Sequence, residues 1–365
     1  MRETTAGVVS FDHIHSILLH VTGQCNLSCK HCYVASCPGI SLDSEQLMRV
    51  NELVLQAQKP LSITGGEPFT LPGIEDYLSD TVASGIELRA IFTNATRLSQ
   101  HRAFLERLFN QQSTIAFYVS LDGVGRSHDL FRAEGSFRAA LEGARMLKGL
   151  GFRVNINTIL HNAIDEHDIR GLFSLISEAG FDRWRLDTPF DAGQWNASKR
   201  CHALSPEAAA GLFNLVLQLS LQDSMPFELE LDHLLKYIDG TFYFLDTYSL
   251  DDPVCACKVL PIWPDGSITW CQDLFGPEFT VGTIGDALDA TYERYLPFKT
   301  MSIASAQSHI SACQGCGLIE HCGTGCRANS ILLAGSYFDP DPEICGILRH
   351  RLYKPISDTL LGYRK

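Results

Sequence analysis

The chain has 365 residues, which at roughly 150 residues per domain fits two domains, and its 45% hydrophobic and 19% charged content can build a packed core rather than a disordered chain. A net charge of −13 excludes the basic footprint of a nucleic-acid binder. No apolar run nears the roughly 20 residues that span a bilayer, and Met1–Ser10 lacks the basic-then-apolar pattern of an export signal, so the expectation is a cytoplasmic protein with no membrane partner.

After a short N-terminal segment (residues 1–14), strand and helix patterns alternate over residues 15–222. His15–Thr22, Pro60–Ile63, Leu88–Thr93, Thr114–Leu121, Arg153–Leu160 and Arg183–Asp187 read as strands, short and rich in Ile, Val, Leu and Phe. Between them, Leu42–Ala57 reads as a helix, with Asp43 and Gln46 spaced as a capping box. Ile74–Ser84, Gln100–Asn110, Phe137–Leu150 and Asp168–Ala179 follow, and Pro206–Leu221 comes after the last strand. Such β–α units predict an α/β fold with a parallel sheet and right-handed crossovers. Six units are too few for a closed eight-stranded barrel. The economical arrangement is an open, partial (β/α)6 barrel with its site at the carboxyl ends of the strands. Residues 223–250 lose the pattern and read as a bridge. From 251 to about 350, short segments alternate with Gly, Pro and Cys, a small domain expected to be held by cysteine-bound metal rather than by a hydrophobic core. A tail, 351–365, closes the chain.

Thirteen cysteines, an odd number in a long chain without an export signal, point to metal-bound thiolates in a reducing compartment rather than to disulfides. Cys37 and Cys201 stand apart and read as small buried hydrophobes. The first group, Cys25-x3-Cys29-x2-Cys32-Tyr33, directly follows the first strand. Zinc wants four ligands, usually from CxxC pairs, and His31 or Cys37 would have to complete that set. Three thiolates on one loop suit a [4Fe–4S] cluster whose fourth iron stays open.

This spacing at the end of the first strand of a six-unit β/α array, followed by an aromatic residue, resembles the signature of radical S-adenosylmethionine (radical SAM) enzymes. Ser62-Ile-Thr-Gly65-Gly66-Glu67-Pro68 resembles their GGEP motif. The resemblance implies S-adenosylmethionine bound at the open iron, with Tyr33, Gly65, Gly66, Glu67 and Pro68 around it, the glycines allowing close backbone approach. Thr93-Asn94 close the third strand. Ser120-Leu-Asp122-Gly123, then His128-Asp129 and Arg132, resemble a stretch of the peptide-modifying members. By that resemblance Ser120 and Asp122 lie near the ribose and methionine moieties, Arg132 holds the carboxylate bidentately, and Asn157 faces the cofactor. Read by residue type alone, Asp122 as a turn cap and Arg132 as a solvent-facing cation remain alternatives.

Eight cysteines near the C-terminus divide into two sets of four, each able to hold a [4Fe–4S] cluster or a zinc ion, and spacing alone does not choose. Cys313-x2-Cys316-x5-Cys322-x3-Cys326 with a trailing Cys345, preceded by a Gly266-x4-Cys271 hairpin, resembles the SPASM domain of radical SAM enzymes. This implies one auxiliary cluster on Cys255, Cys257, Cys271 and Cys326, a second on Cys313, Cys316, Cys322 and Cys345, and three [4Fe–4S] clusters in all. Cys255 and Cys257 are spaced more tightly than the family pattern, which leaves open whether both ligate.

The resemblance spans residues 15–350 and implies an oxidoreductase. A 5′-deoxyadenosyl radical takes a hydrogen atom from a ribosomally made precursor peptide, and an oxidative cross-link follows, a C–C cyclophane or a thioether. The implied partners are that peptide and an electron donor such as a flavodoxin or ferredoxin; because only about 14 residues precede the first strand, either a separate leader-recognition protein presents the leader or the barrel and bridge recognise the substrate. Asp273, two residues beyond Cys271, is the candidate base. Sulfatase-maturing relatives carry an Asp where Gln272 stands here, and Asp187 at the end of the sixth strand competes. Rival activities are a sulfatase-type formylglycine maturase and a tetrapyrrole side-chain decarboxylase. A non-enzymatic electron carrier or zinc scaffold has no use for a sulfonium pocket.

Overall fold

A computed structural model describes residues 10–34, 39–222, 225–231, 235–238, 241–244, 248–255 and 257–349. Six parallel strands arise where apolar runs were read: β1 (Ser16–His20), β2 (Leu61–Thr64), β3 (Leu88–Thr93), β4 (Ala116–Ser120), β5 (Arg153–Ile159) and β6 (Arg183–Asp187). The helices between them are α1 (Ser44–Ala57), α2 (Ile74–Ala83), α3 (Arg102–Gln111), α4 (Arg126–Phe131), α5 (Ser136–Leu150) and α6 (Glu166–Ala179), and α7 (Trp195–His202) and α8 (Pro206–Gln222) follow β6. The capping box of α1 forms, with Asp43 accepting from the Gln46 N–H at 2.9 Å and Gln46 returning the bond at 2.9 Å. α4 and α7 were not read from the sequence. α4 spans only Arg126–Phe131, and α7 is strongly polar along WNASKRCH.

Neither the bridge nor the C-terminal segment stands apart from the barrel. The stretch read as a bridge contributes β7 (Glu228–Leu231), which pairs parallel with β6, and then the antiparallel β8 (Leu235–Ile238) and β9 (Thr241–Phe244). At the other edge β10 (Val259–Ile262) lies parallel to β1, with Ser16 opposite Val259 and Leu19 opposite Ile262, and β11 (Ser267–Thr269) and β12 (Thr280–Thr283) continue antiparallel. One twelve-stranded sheet results, in the order β12-β11-β10-β1-β2-β3-β4-β5-β6-β7-β8-β9.

The core follows the sheet. Ile17, Leu19, Ile63, Ile91, Phe117, Val154 and Trp184 share one apolar cluster with Leu260, Ile262, Ile268, Trp270 and Tyr295. Part of the cysteine-rich region is therefore held by ordinary hydrophobic packing, contrary to the expectation of metal alone. Ile262 and Ile268 each bury completely against the sheet. A satellite cluster of Val254, Ile303, Ala306, Ile310, Cys313 and Ile319 packs the remainder. α9 (Leu288–Thr300) lies over β12.

Candidate active site

β1 ends at His20, and the chain runs through Thr22–Gln24 into Cys25. The end of β2 is clamped to that stretch, since the Gly66 N–H donates to Thr22 O (2.7 Å) and the Glu67 N–H to Gln24 O (2.8 Å). A Cβ on Gly65 would stand 2.5 Å from Thr22 O, and one on Gly66 2.1 Å from Gln24 O. The two glycines are thus required by the backbone that launches the cysteine loop, and both also line the cavity. Glu67 and Pro68 do not line it. Glu67 is 1% exposed, and its carboxylate accepts from the Phe69 N–H (3.2 Å), the Thr93 hydroxyl (2.7 Å) and the Asn94 N–H (2.7 Å). Burial pushes that carboxyl upward against these hydrogen bonds. Pro68 is buried at the first position of the following 3-10 turn. The Glu67–Pro68 half of the motif staples β2 to β3, with neither residue lining the cavity.

The cysteine loop is braced on several sides. Asn94 Nδ2 reaches Asn26 Oδ1 (3.0 Å) and Cys25 Sγ (3.8 Å), and Arg132 Nη1 reaches Cys29 Sγ (3.8 Å). The Gln194 N–H donates to Cys32 O (2.9 Å), and Ser198 Oγ to Lys30 O (2.7 Å), so the segment around α7 closes over the loop. Burial pushes the Cys25 thiol up, and the Cys29 thiol up to about 11; Cys29 feels the charge of both loop partners and Cys25 that of Cys32. Three crowded thiols whose sulfurs receive donors from Asn94 and Arg132 match the donor chemistry of an iron–sulfur centre. Among the described residues no three His, Cys, Asp or Glu side chains form a single-ion site.

Asp122 and Arg132 differ from expectation. Asp122 is fully buried and does not line the cavity. Its Oδ2 accepts from Arg132 Nε at 2.5 Å and lies 3.3 Å from His31 Nε2, and its Oδ1 accepts from the Ile159 N–H at 2.9 Å. Burial opposes ionisation there, but Arg132 and His31 outweigh it and hold the carboxyl well below the usual range. Arg132 engages Asp122 through Nε and reaches the cysteine loop through Nη1 while also lining the cavity, so its Nε is already committed to a protein carboxylate. The alternatives read from residue type fare no better: Asp122 holds a buried ion pair, and the Arg132 side chain is only 9% exposed.

A cavity of about 2010 Å³ runs along the inside of the sheet. At one end it meets Cys25, Cys29, Cys32 and Tyr33, with Thr93, Asn94, Ser120 and Asn157 along the strand ends. It also reaches Cys255, Cys257, Cys271, Cys322 and Cys326, and both candidate bases, Asp187 and Asp273. Asp187 is ion-paired to Arg185 at 2.8 Å. Asp273 Oδ2 lies 3.7 Å from Cys271 Sγ. Burial pushes the Tyr33 hydroxyl up, and the charges of Asp273, Cys32 and Cys271 add to the shift; Tyr33 lines the same cavity as these groups.

The charges felt by the C-terminal thiols fall into two groups. Cys271 feels Cys326 and Cys255, and Cys257 feels Cys255. Cys322 feels Cys345, Cys313 and Cys316. Burial pushes Cys257 and Cys322 up to about 11 and Cys326 up to about 12. Cys255 Sγ receives a 3.1 Å hydrogen bond from Lys299, a residue no motif marked, since it lies 44 positions away on α9. Burial opposes the charge of Lys299, but Cys255 leads the groups that raise its pKa, and the net shift is upward. Cys201 is exposed, not a buried hydrophobe; its helix, α7, is polar. Cys37 lies outside the described residues.

Residues 19–176 match the Radical SAM superfamily. The chain is 29% identical over 370 residues to the pre-heme d1 synthase of Dinoroseobacter shibae, covering 89% of this chain and 85% of that protein. It is 29% identical over 173 residues to the antilisterial bacteriocin subtilosin biosynthesis protein AlbA of Bacillus subtilis, covering 46% of this chain and 38% of that one. Its fold is similar to that of anSMEcpe solved with bound AdoMet and the Cp18Cys peptide, with TM-score 0.71 and 17% identity over 95% of this chain and 98% of the other. None of the described helices is long and apolar enough to cross a membrane. A cysteine loop clamped to the end of β2, on a parallel sheet of this type, agrees with the match over residues 19–176: that part of the chain is a radical SAM domain, and the protein is an enzyme.

Proposed function

We propose that the enzyme is a peptide maturase that forms an oxidative cross-link, C–C or thioether, in a ribosomally made precursor. The observation that carries this is the single cavity of about 2010 Å³ reaching both the Cys25–Cys32 loop and the Cys255–Cys271 region, lined also by Tyr33 and Asp273. Such a volume is larger than one small ligand needs. In this reading Cys25, Cys29 and Cys32 hold a [4Fe–4S] cluster that supplies one-electron cleavage of S-adenosylmethionine. Gly65, Gly66, Thr93, Asn94, Ser120 and Asn157 orient the cofactor and exclude water. Cys255, Cys257, Cys271 and Cys326 form one auxiliary centre, and Cys313, Cys316, Cys322 and Cys345 the other, in a SPASM-like segment. Asp273 takes the substrate proton; Asp187 is the less available carboxylate, because Arg185 already engages it. A flavodoxin or ferredoxin supplies electrons, and either a separate protein presents the leader or the barrel and bridge recognise the substrate.

Co-expression with a candidate precursor peptide tests this. The expected product is lighter by about 2 Da per bond, because each cross-link removes two hydrogens and the cofactor supplies only the abstracting radical. The loss should resist reduction and alkylation. Unchanged mass with solvent deuterium at one α-carbon refutes cross-linking in favour of epimerisation. An aldehyde formed from Cys or Ser in a sulfatase-like sequence refutes it in favour of a formylglycine maturase.

One observation favours a second reading, tetrapyrrole side-chain decarboxylation. The similarity to pre-heme d1 synthase covers 89% of the chain, against 46% for AlbA. Release of carbon dioxide from a propionate-bearing porphyrin, with no change to any peptide, would establish it.

A further inference from the structure

Lys299 is a cation with no access to water. It is 0% exposed in the last turn of α9, where the helix dipole favours positive charge. Its Nζ donates to Cys255 Sγ at 3.1 Å and sits 5.2 Å from the Tyr295 ring centre and 6.0 Å from that of Trp270. Trp270 is itself stacked on Phe298 at 4.7 Å, so the ammonium is walled in by rings and aimed at one sulfur. A buried lysine that only filled space would be costly to keep. An ammonium held against a thiolate is balanced by it.

We infer that Lys299 is a positioning residue that raises the reduction potential of the centre held by Cys255, Cys257, Cys271 and Cys326, and so makes it the acceptor of the substrate electron. The inference rests on the proposal that this set holds a [4Fe–4S] cluster. Reduction adds one negative charge, and a fixed cation at hydrogen-bond distance from a ligand sulfur stabilises the reduced form, with little screening because the ammonium is itself fully buried. Place supports the role. All four of these cysteines line the cavity, whereas of the second set only Cys322 does. After hydrogen-atom abstraction, the substrate radical loses one electron and one proton as the cross-link closes. The electron reduces this centre by one unit, and the proton goes to the Asp273 carboxylate beside Cys271. The electron then leaves to a one-electron carrier of the flavodoxin or ferredoxin class, which restores the oxidised centre.

The test is a potentiometric titration, followed by electron paramagnetic resonance, of the full-length reconstituted holoprotein and of Lys299→Met and Lys299→Arg. Lys299→Met keeps the bulk and removes the charge. At the wild-type midpoint, the reduced-to-oxidised ratio of one centre should fall at least about tenfold, a shift of about 59 mV for one electron, with the other centres unmoved. The centre that moves should be the one missing from Cys271→Ala, and Lys299→Arg should restore its potential. Unchanged potentials at full iron content overturn the inference. If Lys299→Met loses iron, Lys299→Gln repeats the measurement. Loss of the centre in both neutral variants with retention in Lys299→Arg means a purely structural cation and also overturns it. Wild-type protein with iron for one cluster only refutes the underlying assignment instead, a separate result.

Discussion

Replacing Asp122 with Asn measures whether this carboxylate is structural or ligand-facing. Asp122 is fully buried, and its three acceptor contacts go to Arg132 Nε (2.5 Å), the Ile159 N–H (2.9 Å) and, less closely, His31 Nε2 (3.3 Å). An Asn that keeps the Ile159 bond turns an amide N–H toward the guanidinium and leaves Arg132 buried and unpaired. Removing one partner of a buried pair costs about 3–5 kcal/mol. At roughly 2.1 cal/mol/K of unfolding entropy per residue, a chain of 365 residues should lose about 4–6 °C in Tm, read by anaerobic calorimetry at pH 7. Removing the stranded charge as well, in Asp122→Asn/Arg132→Met, should recover part of the loss, because the pair and not the carboxylate alone is the stabilising unit. The pH dependence has a definite sign. A carboxyl held below its unfolded value contributes stability above about pH 3.9 that is lost as pH falls further. Wild type should therefore weaken below pH 4 more steeply than Asp122→Asn. A variant melting within about 1 °C of wild type, or a double variant no better than the sum of the singles, refutes the reasoning and returns Asp122 to the ligand.

Three further outcomes are expected. Cys25→Ala/Cys29→Ala/Cys32→Ala should abolish formation of 5′-deoxyadenosine from S-adenosylmethionine under dithionite, whereas Cys313→Ala or Cys316→Ala should keep this cleavage and lose product, both measured by chromatography. His20 is completely buried and stacked on Trp263 at 4.2 Å, and burial alone pushes its pKa down to about 3. The unfolded chain takes up its proton near pH 6.5, so between pH 6.5 and 3 this residue withdraws about 1.4 kcal/mol of stability per pH unit; urea titrations at pH 7 and pH 5 should show a smaller drop for His20→Phe. Asp273→Ala should abolish cross-linking with cleavage of S-adenosylmethionine intact; full cross-linking in that variant together with its loss in Asp187→Ala moves the base into the barrel.

Local signals carried most of the barrel. Leu88–Thr93 and Arg183–Asp187 are strands at the residues where apolar runs stop against turn formers. β7 escaped because its sequence, Glu-Leu-Glu-Leu, looks like a solvated segment until its neighbour is known. β6 sets Arg183 opposite Glu228 and Arg185 opposite Glu230, while Trp184 and Leu229 share the other face, so the charges belong to a cross-strand ladder rather than to solvent. The cysteines were legible because each loop carries its own spacing. Lys299 and the Asp122–Arg132 pair were not, since they depend on residues that only the folded chain brings together. Motif resemblance placed Glu67, Pro68 and Asp122 beside a ligand; in the folded chain all three are buried, and Glu67 and Asp122 spend their carboxylates on neighbouring strands and Arg132.

The sheet bears on how electrons could move. A cysteine-rich domain tethered by a bridge would have to dock before its thiols faced the first loop. Here β10 is hydrogen-bonded directly to β1, the strand that leads into Cys25, and Cys257 and Cys271 flank the β10–β11 hairpin. The separation of the two thiol regions is then set by backbone pairing and by a continuous apolar core through Leu19, Leu260 and Ile262, not by a hinge. Tyr33 feels the charge of both Cys32 and Cys271 and lines the cavity that both reach. An enzyme that must oxidise a short-lived substrate radical gains from such rigidity, because the acceptor is already in place when the radical forms.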